Sequence, residues 1–239
     1  MDLNPLTVLR PVRAGNAFEE TVERLLQAIK LGMVAQGEKL PPERELAVQL
    51  GISRVTLREA IRALQEAGYL DVRRGRYGGA FVTYAPPPPG TGDLRQAVAE
   101  MGTDSLADAL TFRMAVECGA AQVLASTPLD ETQRALLLGR LAELNTARPD
   151  EYRRLDTAFH LSIAELTGSS LLAATCADAR LRVTDLLNAI PMLQVNIEHA
   201  AIQHEAIVAA ILAGDPDGAR RAVAEHLEGT AALLRAFLA

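Results

Sequence analysis

The 239 residues include only two cysteines, Cys118 and Cys176, and no tryptophan. Two isolated thiols cannot build a disulfide framework, so a small disulfide-stapled secreted fold is excluded and a reducing cytoplasm is the expected setting. Aromatic residues make up 4% of the chain and apolar residues 49%. The core must therefore be assembled from Leu, Ala, Val and Ile. No apolar run approaches the ~18 residues that a membrane-spanning helix needs. The N-terminus lacks the basic-then-apolar order of a secretory signal. Positive charge is also in short supply. The net charge of −6 argues against a protein that coats nucleic acid at random.

The charge is unevenly spread. Residues 1–84 carry 12 Lys+Arg against 10 Asp+Glu, and residues 85–239 carry 12 against 20. Only the N-terminal part suits a polyanionic partner. It contains the stretch from Leu40 to Leu64, which reads as two short helices joined at Gly51. Prolines introduce the first, with Pro expected at the first helical position, where a missing N–H costs nothing. Ser53 can cap the second. On that second helix Leu57, Ala60, Ile61 and Leu64 share one stripe, and Arg54, Arg58 and Arg62 form another beside it. A helix laid in the DNA major groove needs one packing face and one cationic face. Arginines at this spacing also suit an ordinary solvated helix face. What favours DNA is the segment that follows: two short strands, 69–72 and 80–83, flank Arg73-Arg74-Gly75-Arg76-Tyr77-Gly78-Gly79. Glycine allows close backbone approach and arginine favours phosphate. A helix at 17–32 precedes the motif, and residues 1–15 read as irregular. The whole describes a winged helix-turn-helix.

Ala85-Pro86-Pro87-Pro88-Pro89-Gly90-Thr91-Gly92 marks a boundary, because four prolines form a semi-rigid extended spacer. The expected division is a DNA-binding domain at 1–84, a linker at 85–93 and a second domain at 94–239. Beyond Leu94 there is no strand pattern. Helices are expected at 94–101, 104–126, 129–146, 149–167, 169–189, 194–213 and 216–238. The fold class is therefore mainly α, a winged helix-turn-helix with a small β-hairpin followed by an all-α bundle.

In a bundle, the informative residue is a polar one on an apolar face. His204 lies at the centre of the stripe Ile197, Ile207, Val208 and Ile211. His226 lies within the stripe Val223, Thr230, Leu233 and Phe237. Asp156 and His160, four apart, flank Leu155, Phe159, Ile163 and Leu166. Three imidazoles and a carboxylate from three helices suit zinc or another first-row divalent ion, with positions left for water or a ligand carboxylate. Each histidine could equally be a core residue with its own hydrogen bond. His199 points away and reads as a surface residue. Arg113 and Glu117 sit inside another buried stripe. They form an i,i+4 pair, or Arg113 meets an incoming carboxylate. Arg180, Thr184 and Asn188 share a face with Ala173 and Cys176 and could line the same cavity.

Gly37 to Val82 resembles the GntR family of bacterial transcription regulators. The resemblance rests on Leu40-Pro41, Glu43-Arg44-Glu45-Leu46-Ala47, Leu50-Gly51-Ile52-Ser53-Arg54, Leu57-Arg58-Glu59-Ala60, Gly68-Tyr69-Leu70 and Gly78-Gly79-Ala80-Phe81-Val82. Pro42 stands where the family usually has Ser or Thr. The C-terminal part resembles the FCD effector domain of the FadR-type branch. Here the carrying residues are Arg113 with Glu117, Asp156 with Phe159-His160, His204 through Ile211, and His226. The resemblance implies DNA contacts at Arg44, Arg54 and Arg58, with Thr56, Gly78 and Gly79 touching backbone or minor groove. It implies a divalent metal, zinc or nickel, on Asp156, His160, His204 and His226, with a small organic acid beside it. It also implies a homodimer on a palindromic double-stranded operator, most often as a repressor. The rival reading is a metal-dependent hydrolase fused to a DNA-binding module, which lacks a visible general base.

Overall fold

The protein is described by a computed structural model covering residues 17–75, 77–101 and 106–238. Residues 1–15 and Arg76 lie outside the described residues. The chain divides into two compact units between Pro86 and Pro87.

In the N-terminal unit, α1 (Ala17–Lys30), α2 (Glu43–Leu50) and α3 (Arg54–Glu66) are followed by β1 (Leu70–Arg73) and β2 (Gly79–Val82). The strands pair antiparallel, with Leu70 opposite Val82 and Arg73 opposite Gly79. All four residues of the expected α3 stripe are buried, and with Leu25, Ile29, Leu46 and Leu50 they make one core. Each leucine and isoleucine among them contributes about 1.5–3 kcal/mol on burial. The Ser53 hydroxyl accepts from Thr56 N–H at 3.0 Å, the expected cap. Gly51 ends α2 at φ 67°, the left-handed conformation in which a Cβ is penalised. Pro42 is not the first helical residue. It stands one position outside, as the N-cap with no side-chain cap bond, and its carbonyl accepts from Glu45 and Leu46 N–H. α2 therefore begins on Glu43, whose carboxylate is free for other work.

The second unit contains α4 (Leu94–Glu100), α5 (Leu106–Ala125), α6 (Glu131–Asn145), α7 (Tyr152–Leu166), α8 (Ser170–Ala189), α9 (Gln194–Leu212) and α10 (Pro216–Leu238). Every expected helix is present, and caps move the starts. Asp130 and Gln133 form a capping box, so α6 opens at Glu131 rather than 129. The Arg148 carbonyl accepts from both Glu151 and Tyr152 N–H, a separate turn that delays α7 to Tyr152. The expected start of α5 at residue 104 lies outside the described residues. α5 packs on α7, α8, α9 and α10.

One stripe differs from expectation. On α10 the buried residues are Ala219, Val223, His226, Leu227, Ala231 and Leu234, while Phe237 is 41% exposed. Val223, Thr230 and Phe237 are heptad steps, and a straight helix drifts about 20° per heptad. His226 keeps its inward place because it lies near the stripe's origin. At the start of the unit, the Gly90 N–H bonds to the Asn188 carbonyl at 3.3 Å. A Cβ added to Gly92 would meet Ala189 at 3.1 Å. The chain entering the bundle is thus seated on the end of α8.

Candidate metal centre and DNA-reading surface

α7 supplies Asp156 and His160 one turn apart, α9 supplies His204 and α10 supplies His226. One ligand atom from each lies within 4.8 Å of the others. His160 Nε2 faces His226 Nε2 at 3.2 Å. Asp156 Oδ1 lies 3.4 Å from His204 Nε2 and 3.8 Å from His160 Nε2. The three histidines are buried, and the Asp156 side chain is 16% exposed.

The ring nitrogens on the far side explain the arrangement. His160 Nδ1 lies 2.9 Å from Glu117 Oε2, and His226 Nδ1 lies 3.1 Å from Gln203 Oε1. Both partner oxygens are acceptors, which assigns the proton of each ring to Nδ1. Two Nε2 lone pairs then face each other across 3.2 Å. His204 is fully buried, yet neither ring nitrogen makes a well-formed hydrogen bond, its Nε2 having only the Asp156 Oδ1 contact at 3.4 Å. Converging lone pairs and a poorly satisfied imidazole are unfavourable alone and are satisfied by a cation. The donor set fits a first-row divalent ion and could hold one.

Electrostatics set the charge states of Asp156, His160 and His226. Burial pulls His160 down to about 4, with Arg180 pulling the same way against Glu117 and Asp156. His226 lies well below its ordinary value through burial, then His160 and His204. Both rings are neutral at pH 7, as metal ligation requires. Burial pushes Asp156 up, but Arg180, His160 and His204 outweigh it and hold its carboxyl well below the usual range.

Arg180 is brought fully into the site. Its guanidinium bridges Asp156 Oδ2 at 2.5 Å and Glu117 Oε2 at 3.0 Å, which leaves Asp156 Oδ1 facing the histidines. Arg113 pairs with Glu117 Oε1 at 2.7 Å as the i,i+4 spacing allows, and its buried NH1 has no partner. Asn188 is buried too, but sits eight residues beyond Arg180 on α8, about 12 Å along the axis. Its carbonyl accepts from the Gly90 N–H. His199 is exposed, as expected. The sequence reading missed two residues: Glu117 as the anchor of His160, and Gln203 as the anchor of His226. Gln203 precedes His204, but nothing in its spacing announces a bond to another helix.

In the other unit, Arg44, Arg54 and Arg58 are all exposed. Arg58 Nε lies 2.7 Å from Glu43 Oε2, and Arg54 NH2 lies 3.8 Å from the same atom. The half-buried Thr56 shares a 2.9 Å hydroxyl contact with Ser53 in the cap. In the wing, Arg73 is tied to the hairpin itself. It bonds to Asp71 Oδ2 at 2.8 Å and lies 4.5 Å above the Phe81 ring. Gly78 and Gly79 are half-buried. A Cβ at Gly78 would meet the Arg73 carbonyl at 2.2 Å, so only glycine closes this turn.

The two units match two known families. Residues 18–82 match "Bacterial regulatory proteins, gntR family", and residues 108–229 match the FCD domain. The chain is a GntR-family transcriptional regulator with an FCD domain. RmpR of Mycobacterium gastri is 32% identical over 219 residues, spanning 86% of this chain and 76% of that one. The HTH-type transcriptional repressor NanR of Escherichia coli K12 is 30% identical over 243 residues, spanning 95% of this chain and 88% of the relative. Among solved structures, E. coli McbR/YncC superposes with a TM-score of 0.58 at 19% identity. It covers 93% of this regulator and 99% of McbR/YncC, a likeness of fold. The family regulates transcription and is not one of enzymes, so the hydrolase reading falls. No helix among the described residues of this GntR-family regulator is long and apolar enough to cross a membrane.

Proposed function

We propose that this regulator is a cytoplasmic, effector-responsive repressor that binds a palindromic operator as a homodimer. Its domains divide as 1–84, 85–93 and 94–239. α3 enters the major groove, with Arg44, Arg54 and Arg58 contacting phosphates or guanine edges. Thr56, Gly78 and Gly79 approach the backbone or minor groove. In the second domain Asp156, His160, His204 and His226 hold zinc or nickel, and a small organic acid completes the metal shell. Arg113 clamps the acid through its partnerless NH1, while Arg180 and Asn188 shape the surroundings. The coupling between acid and operator is about 1–3 kcal/mol and reciprocal.

One observation carries the reading. Glu117 and Gln203 turn two imidazole lone pairs inward against a carboxylate and a buried histidine that lacks a well-formed hydrogen bond. A core of structural histidines has no reason to aim lone pairs at one another.

The test is elemental analysis of the purified protein, with thermal shift across a panel of small carboxylates in the presence and absence of EDTA. The reading expects about one metal per chain, and one acid that raises Tm only when metal is present. Ligand at 100 times its Kd stabilises by about 2.7 kcal/mol, enough to see. Absence of metal together with indifference to added zinc or nickel would overturn it.

A further inference from the structure

The acidic residue at the head of α2 lies against the arginines of α3. Glu43 is the first residue of α2, and Pro42, which has no side-chain cap bond, leaves the helix start to backbone groups. The Glu43 carboxylate instead crosses to α3 and meets Arg58 at 2.7 Å and Arg54 at 3.8 Å through one oxygen. Three features make this more than a surface ion pair. It joins residues 15 apart on different helices, so no local helical spacing produces it. It engages Arg58 through Nε rather than through a terminal nitrogen, so the contact bears on the inner edge of the guanidinium. It also sits under two of the three arginines proposed to read DNA, in a unit with little positive charge to spare.

We infer that Glu43 is a positioning residue for sequence discrimination, holding Arg58 and Arg54 in the poses that match a guanine edge. This rests on the proposed DNA-reading role of α3. An unrestrained arginine satisfies itself on any phosphate, because the phosphate term is independent of sequence. A bidentate contact to one base needs a guanidinium whose plane is already fixed. A carboxylate beneath it supplies that orientation and lowers the positive potential that drives non-specific binding. Removing the carboxylate should therefore tighten binding to arbitrary DNA while loosening the preference for the correct site. A residue needed only for folding would weaken both.

The experiment uses the full-length protein. A duplex is first selected by the wild type from a random-sequence library, and Kd is then measured for that duplex and for a scrambled one across a salt series. Glu43→Gln is compared with Glu45→Gln, which removes the same charge from the same turn. Thermal melts confirm that both are folded. The expected result for Glu43→Gln is a specificity ratio reduced about 10-fold, tighter binding to the scrambled duplex, and a salt slope steeper by about 1. Glu45→Gln should keep the wild-type ratio. The inference is overturned if Glu43→Gln keeps the wild-type ratio, weakens both duplexes in parallel, or behaves as Glu45→Gln does. A wild type that selects no duplex would overturn the DNA-reading proposal itself, and this inference with it.

Discussion

Replacing Glu117 by glutamine tests the buried half of the protein most severely. The wild-type carboxylate satisfies three donors: Arg113 Nε at 2.7 Å, Arg180 NH1 at 3.0 Å and His160 Nδ1 at 2.9 Å. All three side chains and Glu117 itself are at most 4% exposed. Burial pushes the Glu117 carboxyl up, but Arg113, Arg180 and His160 hold it well below its ordinary range. It is therefore an anion surrounded by two guanidinium groups. A glutamine of the same size offers one acceptor oxygen and an N–H₂. The amide turns a donor towards donors and removes the charge that the arginines need. Breaking a buried pair from one side costs about 3–5 kcal/mol. For a chain of this size each kcal/mol moves Tm by roughly 2–4 °C, so a fall on the order of 10 °C is expected. Denaturant unfolding in EDTA, with the slope m compared between variant and wild type, isolates this term. With metal restored, affinity should drop about 10- to 100-fold because the His160 ring loses its anchor. A stability loss below about 1 kcal/mol with unchanged m would refute the reasoning. It would mean that water reaches the two arginines.

Three further outcomes are expected. Gln203→Leu should leave metal-free stability within about 1 kcal/mol and weaken metal binding about 10-fold, since only the orientation of His226 changes; competition with a chelator reads this, and unchanged affinity would count against a metal site. His160 falls from an ordinary 6.5 to about 4 in the fold, and His226 moves the same way. Metal-free stability should therefore be full above pH 6.5 and fall as the pH drops towards 4, by ~3 kcal/mol for His160 alone; a flat unfolding free energy between pH 7 and 5 would contradict this. Gly78→Ala should destabilise the N-terminal unit by about 1–3 kcal/mol, because its Cβ would press on the Arg73 carbonyl at 2.2 Å. It should also weaken duplex binding without removing any side chain from the surface; calorimetry with a DNA titration tests both halves.

Much of this arrangement was legible in the order of residues, for identifiable reasons. The stripe of α3 and its Ser53 cap depend on contacts within a few residues, and local spacing reports those well. The convergence of Asp156, His160, His204 and His226 was legible because each interrupts an apolar stripe that must face inward. Arg180 was much less visible. Its partners Glu117 and Asp156 are 63 and 24 residues away, and helical periodicity carries no record of which helices become neighbours. Glu117 was read as a partner for Arg113 alone, because an i,i+4 pair accounts for one oxygen and hides the second. Phe237 was misplaced by following heptads on a straight helix, where the apolar stripe advances by 11 residues from Val223 to Leu234.

The seating of the chain on α8 has a mechanical meaning. α8 is one uninterrupted helix from Ser170 to Ala189. Arg180, in its middle, holds the Asp156 and Glu117 carboxylates, and its far end receives Gly90 and lies so close to Gly92 that a Cβ there would press on Ala189. A helix behaves as a stiff shaft over the roughly 12 Å between Arg180 and Asn188. The two grips therefore share one stiff body: the end of α8 that receives Gly90 and Gly92 keeps a fixed distance from the guanidinium that holds Asp156 and Glu117.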